Sequence, residues 1–212
     1  MVLKLSERAS AASRPIVSLA KTELRLARHL RLKRLIDLVV AVMLVVILSP
    51  ILVLIGAYVA LRLRTWRVLV TTARAGRFGK PMVLWRFRTQ LKHRSLNWCE
   101  RSHIDELPQL AQVVAGSMSL VGPRPEIEAD LATLTPSVLH ARTSVRPGLT
   151  GLWQVSTDND RIIRNVPQYD LVYVTTWSLR LDMAILVKTI TVFGFRGRRW
   201  SPADIGRLTH RS

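Results

Sequence analysis

Hydrophobic and polar positions are spread very unevenly along the chain. From Leu38 to Leu61 the sequence LVVAVMLVVILSPILVLIGAYVAL holds no charged residue. At about 1.5 Å per residue, a helix of this length crosses a hydrocarbon core of roughly 30 Å. It lacks the polar stripe of a soluble core helix. It also starts too late and runs too long for a cleaved signal peptide. The pattern predicts a membrane-inserted helix over residues 35–61. Ser49 and Pro50 fall at its middle. Proline removes a helical hydrogen bond, and in lipid the freed carbonyl needs a partner that the Ser49 hydroxyl can help supply. Two arrangements fit: a kinked spanning helix, and a helix-break-helix that dips in and returns. Lys33 and Arg34 precede the segment, and Arg62, Arg64 and Arg67 follow it. Positive charge marks the cytoplasmic side, so basic clusters at both ends favour re-entry.

The periodicity differs on either side. Residues 16–34 interleave leucines with Lys21, Arg25, Arg28, Arg31, Lys33 and Arg34, the pattern of a basic amphipathic helix on a membrane surface. Residues 1–15 are rich in Ser and Ala and are expected to be loose. Downstream, RVLVTTA (67–73) and MVLWRFRT (82–89) read as strands joined by a turn containing Gly76, Gly79 and Pro81, which together predict a β-hairpin. Residues 102–118 read as a helix, with Ser102 and Asp105 as alternative N-caps, an apolar face of Leu107, Leu110, Val113 and Val114, and a stop at Gly116. A second helix over 127–142 is interrupted near Pro136, and two more are expected at 166–177 and 181–193. Trp177 and Trp200 are candidates for an interface. Val121-Gly-Pro-Arg-Pro125 and Arg146-Pro-Gly-Leu-Thr-Gly151 cannot be regular helix. The first of these loops is either a plain linker or a rigid mount for Arg124.

Charge sharpens this outline. Lys plus Arg number 32 and Asp plus Glu 14, a formal net charge of +18, although 49% of residues are hydrophobic. Disorder is excluded, because disordered chains pair high charge with low hydrophobicity. A disulfide scaffold is excluded by the single Cys99, which suits a reducing compartment. No acid lies between Asp37 and Glu100; carboxylates then cluster from Glu100 to Asp130. In so basic a chain that cluster reads as a cation or phosphate-chemistry site, or equally as a helix face with internal ion pairs. A nucleic-acid binder is disfavoured: no aromatic-basic platform or recognition module is present.

Three segments are distinctive together: Asp105-Glu-Leu-Pro-Gln109 running into Met118-Ser-Leu-Val-Gly-Pro-Arg-Pro125; Arg146-Pro-Gly-Leu-Thr-Gly151 with Trp153-Gln154; and Trp177-Ser-Leu-Arg-Leu-Asp182. With Arg86-Phe-Arg-Thr89 and the Ser-Pro-interrupted apolar run, residues 31–195 closely resemble the bacterial sugar transferase family, the monotopic polyprenyl-phosphate phosphoglycosyl transferases, in their short form. The resemblance implies transfer of a sugar-1-phosphate from a nucleotide diphosphate sugar, usually a UDP-sugar, to undecaprenyl phosphate at the cytoplasmic face of a bacterial inner membrane, with release of UMP. It implies Asp105 as nucleophile, forming an acyl phosphate, and Glu106 with Asp105 as carboxylates for Mg²⁺. It implies phosphate or substrate contacts at Arg86, Arg88, Arg101, Arg124 and Gln154. Asp170 and Asp182 match acidic positions of the family pattern, as structural or substrate-binding acids. Anionic lipids are further expected partners, and a homodimer is left open.

The sequence departs from the family pattern at several points. Glu100 stands where a basic residue is usual, Gln90 replaces a methionine, Gln112 replaces an asparagine, and the stretch 89–104 is short. These departures keep a competing reading alive, a catalytically weak or silent membrane scaffold of the same fold. The expected architecture is α+β and mostly helical: a basic amphipathic segment (1–34), a re-entrant membrane helix (35–61), a cytosolic domain with a β-hairpin and interfacial amphipathic helices (62–195), and a basic tail (196–212).

Overall fold

The computed structural model of the chain describes residues 2–91, 94–160, 166–195 and 197–209. Residues 1–36 form one unit and residues 37–212 a second; the packing below is that of the second. The first helix, α1, runs from Val2 to Leu63 and includes the stretch expected to be loose.

The break expected at Ser49-Pro50 is not an interruption of α1, which continues helical through both residues. Pro50 has no N–H to offer the Val46 carbonyl four residues earlier. Ser49 Oγ donates to that same oxygen at 2.8 Å. The side chain thus replaces the missing backbone donor, and the helix assignment survives.

One stripe of α1 packs inward: Asp37, Ala41, Ile55, Val59 and Leu63 are buried, with Leu44, Val45, Leu48 and Leu52 packed beside them. The opposite stripe leaves Val39, Met43, Val46, Ile47, Val53, Leu54 and Leu61 exposed. An apolar helix that buries only one stripe leaves the rest for lipid or another chain. The inward stripe is tied down at both ends. Near its start, Asp37 accepts from Ser119 Oγ (2.7 Å) and from the Leu120 amide (3.3 Å). Near its end, Val59 and Leu63 share a cluster with Phe87, Leu96 and Cys99.

The hairpin is present. Strands β1 (Leu69–Ala75) and β2 (Pro81–Phe87) pair antiparallel with Leu69 opposite Phe87 and Ala75 opposite Pro81. Its turn carries Phe78 at φ 57° and Gly79 at φ 70°. The outer edge of β2 is closed by a side chain: Gln112 Oε1 accepts from the Trp85 amide at 3.1 Å, and Gln112 Nε2 donates to the Val83 carbonyl. A primary amide presents the same donor and acceptor as a peptide, so it substitutes for a neighbouring strand. A minimal ribbon follows, β3 (Gln90–Leu91) with β4 (Arg94–Ser95), then helix α2 (Asn97–Arg101).

The helix expected over 102–118 starts later and in two parts. Ile104–Gln109 is a 3₁₀ turn, followed by α3 (Leu110–Ala115). Pro108 cannot donate to an i−4 carbonyl, which accounts for the tight turn. Ser102 does not cap it: its hydroxyl donates back to the Trp98 and Cys99 carbonyls. Gly116, at φ 90°, ends α3 as expected.

The loops rich in Pro and Gly are built around a parallel pair, β5 (Ser119–Val121) with β6 (Gly148–Thr150). The backbones approach so closely that a Cβ at Gly148 or Gly122 would collide with the other strand. Helices α4 (Glu128–Leu131) and α5 (Pro136–Thr143) follow β5, the latter opened by Pro136. After β6 come α6 (Val166–Thr175) and α7 (Leu179–Thr189), the latter capped by Ser178, whose hydroxyl accepts from the Leu181 amide. The chain then loosens into one π turn at Ile190–Gly194. Within the stretch expected as a basic tail, Trp200 bridges Ser156 and α8 (Pro202–Thr209) buries Ile205 in the main core; Arg196 lies outside the described residues.

Candidate active site

Asp105 and Glu106 lie in the first part of the 3₁₀ turn, which Ile104 opens after His103, whose backbone is left-handed at φ 56°, ψ 17°. A non-glycine residue in that region is uncommon and clusters at functional sites. It aims the next two carboxylates at β2. There Arg86 pairs with Glu106 through Nη2 and stands 4.0 Å from Asp105 Oδ2 through Nη1. Strand parity puts Arg74, Leu84 and Arg86 on one hairpin face, and these three line a small polar pocket with Glu106, Gln109, Arg124 and Gln154. Three guanidiniums around one carboxylate, Glu106, suit a substrate with more than one negative charge.

Asp105 is 5% exposed. Burial pushes its carboxyl up to about 6, Arg86 pulls against that rise, and Glu106 adds to it. His103 is shifted the other way: burial lowers its imidazole, Glu106 opposes, and Arg124, Arg199 and Arg86 lower it further. Its ring meets Phe193 edge-on at 4.7 Å.

A cavity of about 440 Å³ opens beside the polar pocket. Its apolar wall comes from α1 (Val40, Leu44, Leu48) and from Leu186, Ile190 and Phe193. Its polar wall carries His103, Glu106, Arg124, Thr150, Gln154 and Thr189. Glu106, Arg124 and Gln154 belong to both spaces. The arrangement is a charged pocket joined to a greasy one, with Glu106 at the junction and Asp105 buried beside it, lining neither space.

The loop of Arg124 is a rigid mount, not a linker. Arg142 Nη2 donates to the Arg124 carbonyl at 2.7 Å, and the Arg124 guanidinium lies 5.3 Å over the Trp153 ring. Asp170 meets Arg142 Nε at 3.0 Å behind this loop and lines neither space. Asp182 accepts from Trp177 Nε1 at 3.1 Å and lies 2.8 Å from Tyr173 Oη, tying α6 to α7. Of the expected phosphate contacts, Arg86, Arg124 and Gln154 come together. Arg88 does not join them: its Nε donates to the Arg67 carbonyl at 2.8 Å, beyond the strand, where alternation no longer governs its direction. The Arg101 side chain lies outside the described residues. Glu100 accepts from Thr89 Oγ1 (2.5 Å) and Gln90 Nε2 (3.3 Å), which ties α2 to the short stretch after the hairpin. Sequence reasoning missed Arg74, His103 and Thr150. Arg74 was findable by strand parity with Arg86 once a register was assumed; the other two carry no local signal.

Among the described residues no group of three or more His, Cys, Asp or Glu side chains converges. Two adjacent carboxylates still match the way Mg²⁺ is held beside phosphates, by one or two carboxylates with the substrate and water completing the shell.

The chain belongs to the bacterial sugar transferase family, whose family model matches residues 28–196. It is 49% identical over 96 residues to a UDP-galactose-lipid carrier transferase of Erwinia amylovora, a match covering 45% of this chain and 20% of that protein. It is 34% identical over 174 residues to the uncharacterized sugar transferase EpsL of Bacillus subtilis, covering 75% and 85%. It is 32% identical over 200 residues to a UDP-glucose:undecaprenyl-phosphate glucose-1-phosphate transferase of Escherichia coli (strain K12), covering 83% and 43%. The chain thus spans less than half the length of the Erwinia and Escherichia relatives.

Proposed function

We propose that this chain transfers a sugar-1-phosphate from a UDP-sugar to undecaprenyl phosphate, starting a lipid-linked glycan such as an exopolysaccharide or O-antigen. One observation carries the reading: Glu106 lines both an arginine-lined pocket and an apolar cavity walled by α1, and the buried Asp105 stands directly behind it, 4.0 Å from the pocket's Arg86. A diphosphate and a prenyl chain are the two chemistries such neighbours accommodate.

In the first half-reaction an Asp105 carboxylate oxygen attacks the phosphorus bearing the sugar. A P–O bond forms to Asp105, the P–O bond to UMP breaks, and UMP leaves with its electron pair. In the second, an oxygen of undecaprenyl phosphate attacks the same phosphorus and Asp105 departs as a free carboxylate. No proton transfer is needed at either step. Arg86 and Arg124 neutralise charge on the phosphates, more strongly because the site is partly closed to water. Glu106 and Asp105 would hold Mg²⁺, which offsets the repulsion between nucleophile and diphosphate. Arg86 then has to yield part of its contact with Glu106.

The same reading places the chain at the cytoplasmic face of a bacterial inner membrane. The two ends of the inward stripe of α1, Asp37 and Leu63, are both fastened to one folded body. That supports a helix that dips into the leaflet and returns, with its exposed apolar stripe in lipid. Lys and Arg near anionic lipid each contribute about 1 kcal/mol.

The test is UMP release by the purified, membrane-reconstituted chain across a panel of UDP-sugars, with and without undecaprenyl phosphate. We expect Mg²⁺-dependent turnover, and a phosphosugar adduct on Asp105 when acceptor is withheld. Full activity of Asp105→Asn, or no UMP from any donor, would overturn the proposal.

A further inference from the structure

On the polar wall of the large cavity one buried acceptor has no partner among the described residues, and a neighbouring hydroxyl has only accepting capacity left. Thr150 and Gln154 both line it and are 6% and 7% exposed. Thr189 Oγ1 donates to the Ile185 carbonyl at 2.8 Å, which uses its single proton. The 2.8 Å contact between Thr150 and Thr189 is therefore donated by Thr150. With that proton spent, the Thr150 oxygen can only accept from the cavity. Gln154 Oε1 is buried and has no hydrogen-bond partner among the described residues. A buried acceptor left unmade is costly, so the unpartnered Gln154 Oε1, beside a Thr150 oxygen free only to accept, suits a ligand that donates.

This narrows what occupies the wall. A phosphate at neutral pH is essentially all acceptor, and a prenyl chain offers no polar hydrogen. A sugar carries several hydroxyl hydrogens. Gln154 also lines the arginine pocket, so a group seated on it is next to the phosphate. We infer that Gln154 and Thr150 seat the transferred sugar by accepting from its hydroxyl groups, while its phosphate lies on Arg86 and Arg124. Gln154 is then a sugar-reading residue through its carbonyl oxygen, which repels phosphate and accepts from a hydroxyl. The inference rests on the transfer reaction proposed above and adds to it the place of the sugar ring. The apolar wall from α1 and α7 stays open for the first prenyl units while the phosphosugar is held.

Gln154→Leu and Thr150→Val remove the acceptors with little change in volume. Each variant is compared with the unaltered chain for a UDP-sugar it turns over, for the monodeoxy analogues of that donor, and for inhibition by UDP. We expect kcat/KM for the intact donor to fall about tenfold per lost hydrogen bond, with inhibition by UDP unchanged. One monodeoxy donor should lose about tenfold on the unaltered chain and nothing further on one of the variants. If UDP inhibition weakens in step, the pair reads the nucleoside and the inference is wrong. It is equally wrong if no deoxy position couples to either residue. Should Gln154→Leu fail to fold, Thr150→Val decides alone. Should no UDP-sugar release UMP, the transfer reading fails, and calorimetric binding of the same donors to the same variants still decides the sugar seat.

Discussion

Arg142 holds Arg124 by its backbone. Its Nη2 donates to the Arg124 carbonyl at 2.7 Å, while its Nε meets Asp170 at 3.0 Å and Nη2 stands 3.6 Å from Glu126. Arg142 and Asp170 are both buried. Replacing Arg142 with methionine leaves the buried Asp170 and the half-buried Glu126 without their cation. Breaking a buried pair in this way costs about 3–5 kcal/mol. We expect a clear loss of thermal stability and a raised KM for the donor, because Arg124 loses its mount. Thermal unfolding in detergent, alongside donor kinetics, checks both.

Asp170 gives this network a pH dependence. Burial pushes its carboxyl up to about 7, against the pull of Arg142 and with Glu126 adding to the rise. The folded value lies above the unfolded one of about 3.9. The stability it contributes is thus complete below about pH 4 and is lost as pH rises through about 7. Asp170→Asn cannot titrate. Its stability relative to the unaltered chain should climb from pH 4 to pH 8, measured as the difference in unfolding midpoint; a flat difference would refute the assignment.

Asp105 has to be ionised to attack phosphorus, and its carboxyl is pushed up to about 6 by burial, with Glu106 adding to the rise against Arg86. The first half-reaction should therefore fall about tenfold per pH unit below roughly 6 and level off above it. Single-turnover UMP release between pH 5 and pH 8 tests this. Asp105→Asn should lose roughly a thousandfold or more at every pH, since the nucleophile itself is gone.

Much of this site was legible because it is local. Gly76, Gly79 and Pro81 announce the hairpin, and Pro123 and Pro125 announce a fixed loop at Arg124. The Ser49 hydroxyl on the Val46 carbonyl follows from counting back four residues from Pro50. What escaped depends on contacts between distant segments. Nothing near Ser119 or Gly148 reveals that they pair in parallel, and nothing near Gln112 shows that its amide closes the edge of β2. Arg88, expected from the Arg86-Phe-Arg-Thr89 motif, lies one residue past the end of β2 and turns to the Arg67 carbonyl, a contact the motif alone does not show.

Gln112 gives a stability prediction that depends on its length. Its amide satisfies the Trp85 N–H and the Val83 C=O together. Gln112→Leu leaves two part-buried backbone groups without their protein partner, at about 1 kcal/mol each. The damage should also reach Arg86, one residue past Trp85. We expect Gln112→Leu to lower the unfolding midpoint and to raise donor KM, with Gln112→Asn in between, since it is one methylene shorter.

The course of α1 through the membrane can be tested from both ends. Asp37 is anchored on β5 and Leu63 beside Phe87, so re-entry requires residues just outside the apolar run to share one side. With Cys99 replaced by alanine, single cysteines introduced by Lys33→Cys and Arg67→Cys should both resist a membrane-impermeant thiol reagent added to intact cells. Both should react once the membrane is opened. A spanning helix would expose one of them to the outside reagent. Pro50 supplies the second arm. Pro50→Ala restores an N–H to the Val46 carbonyl and removes the local reason for a bend. If a bend at Pro50 in the membrane is what turns the helix back, this variant should move one of the two cysteines to the outer side in part of the population. If Pro50→Ala leaves both cysteines protected, the anchors at Asp37 and Leu63 hold the topology without help from the proline.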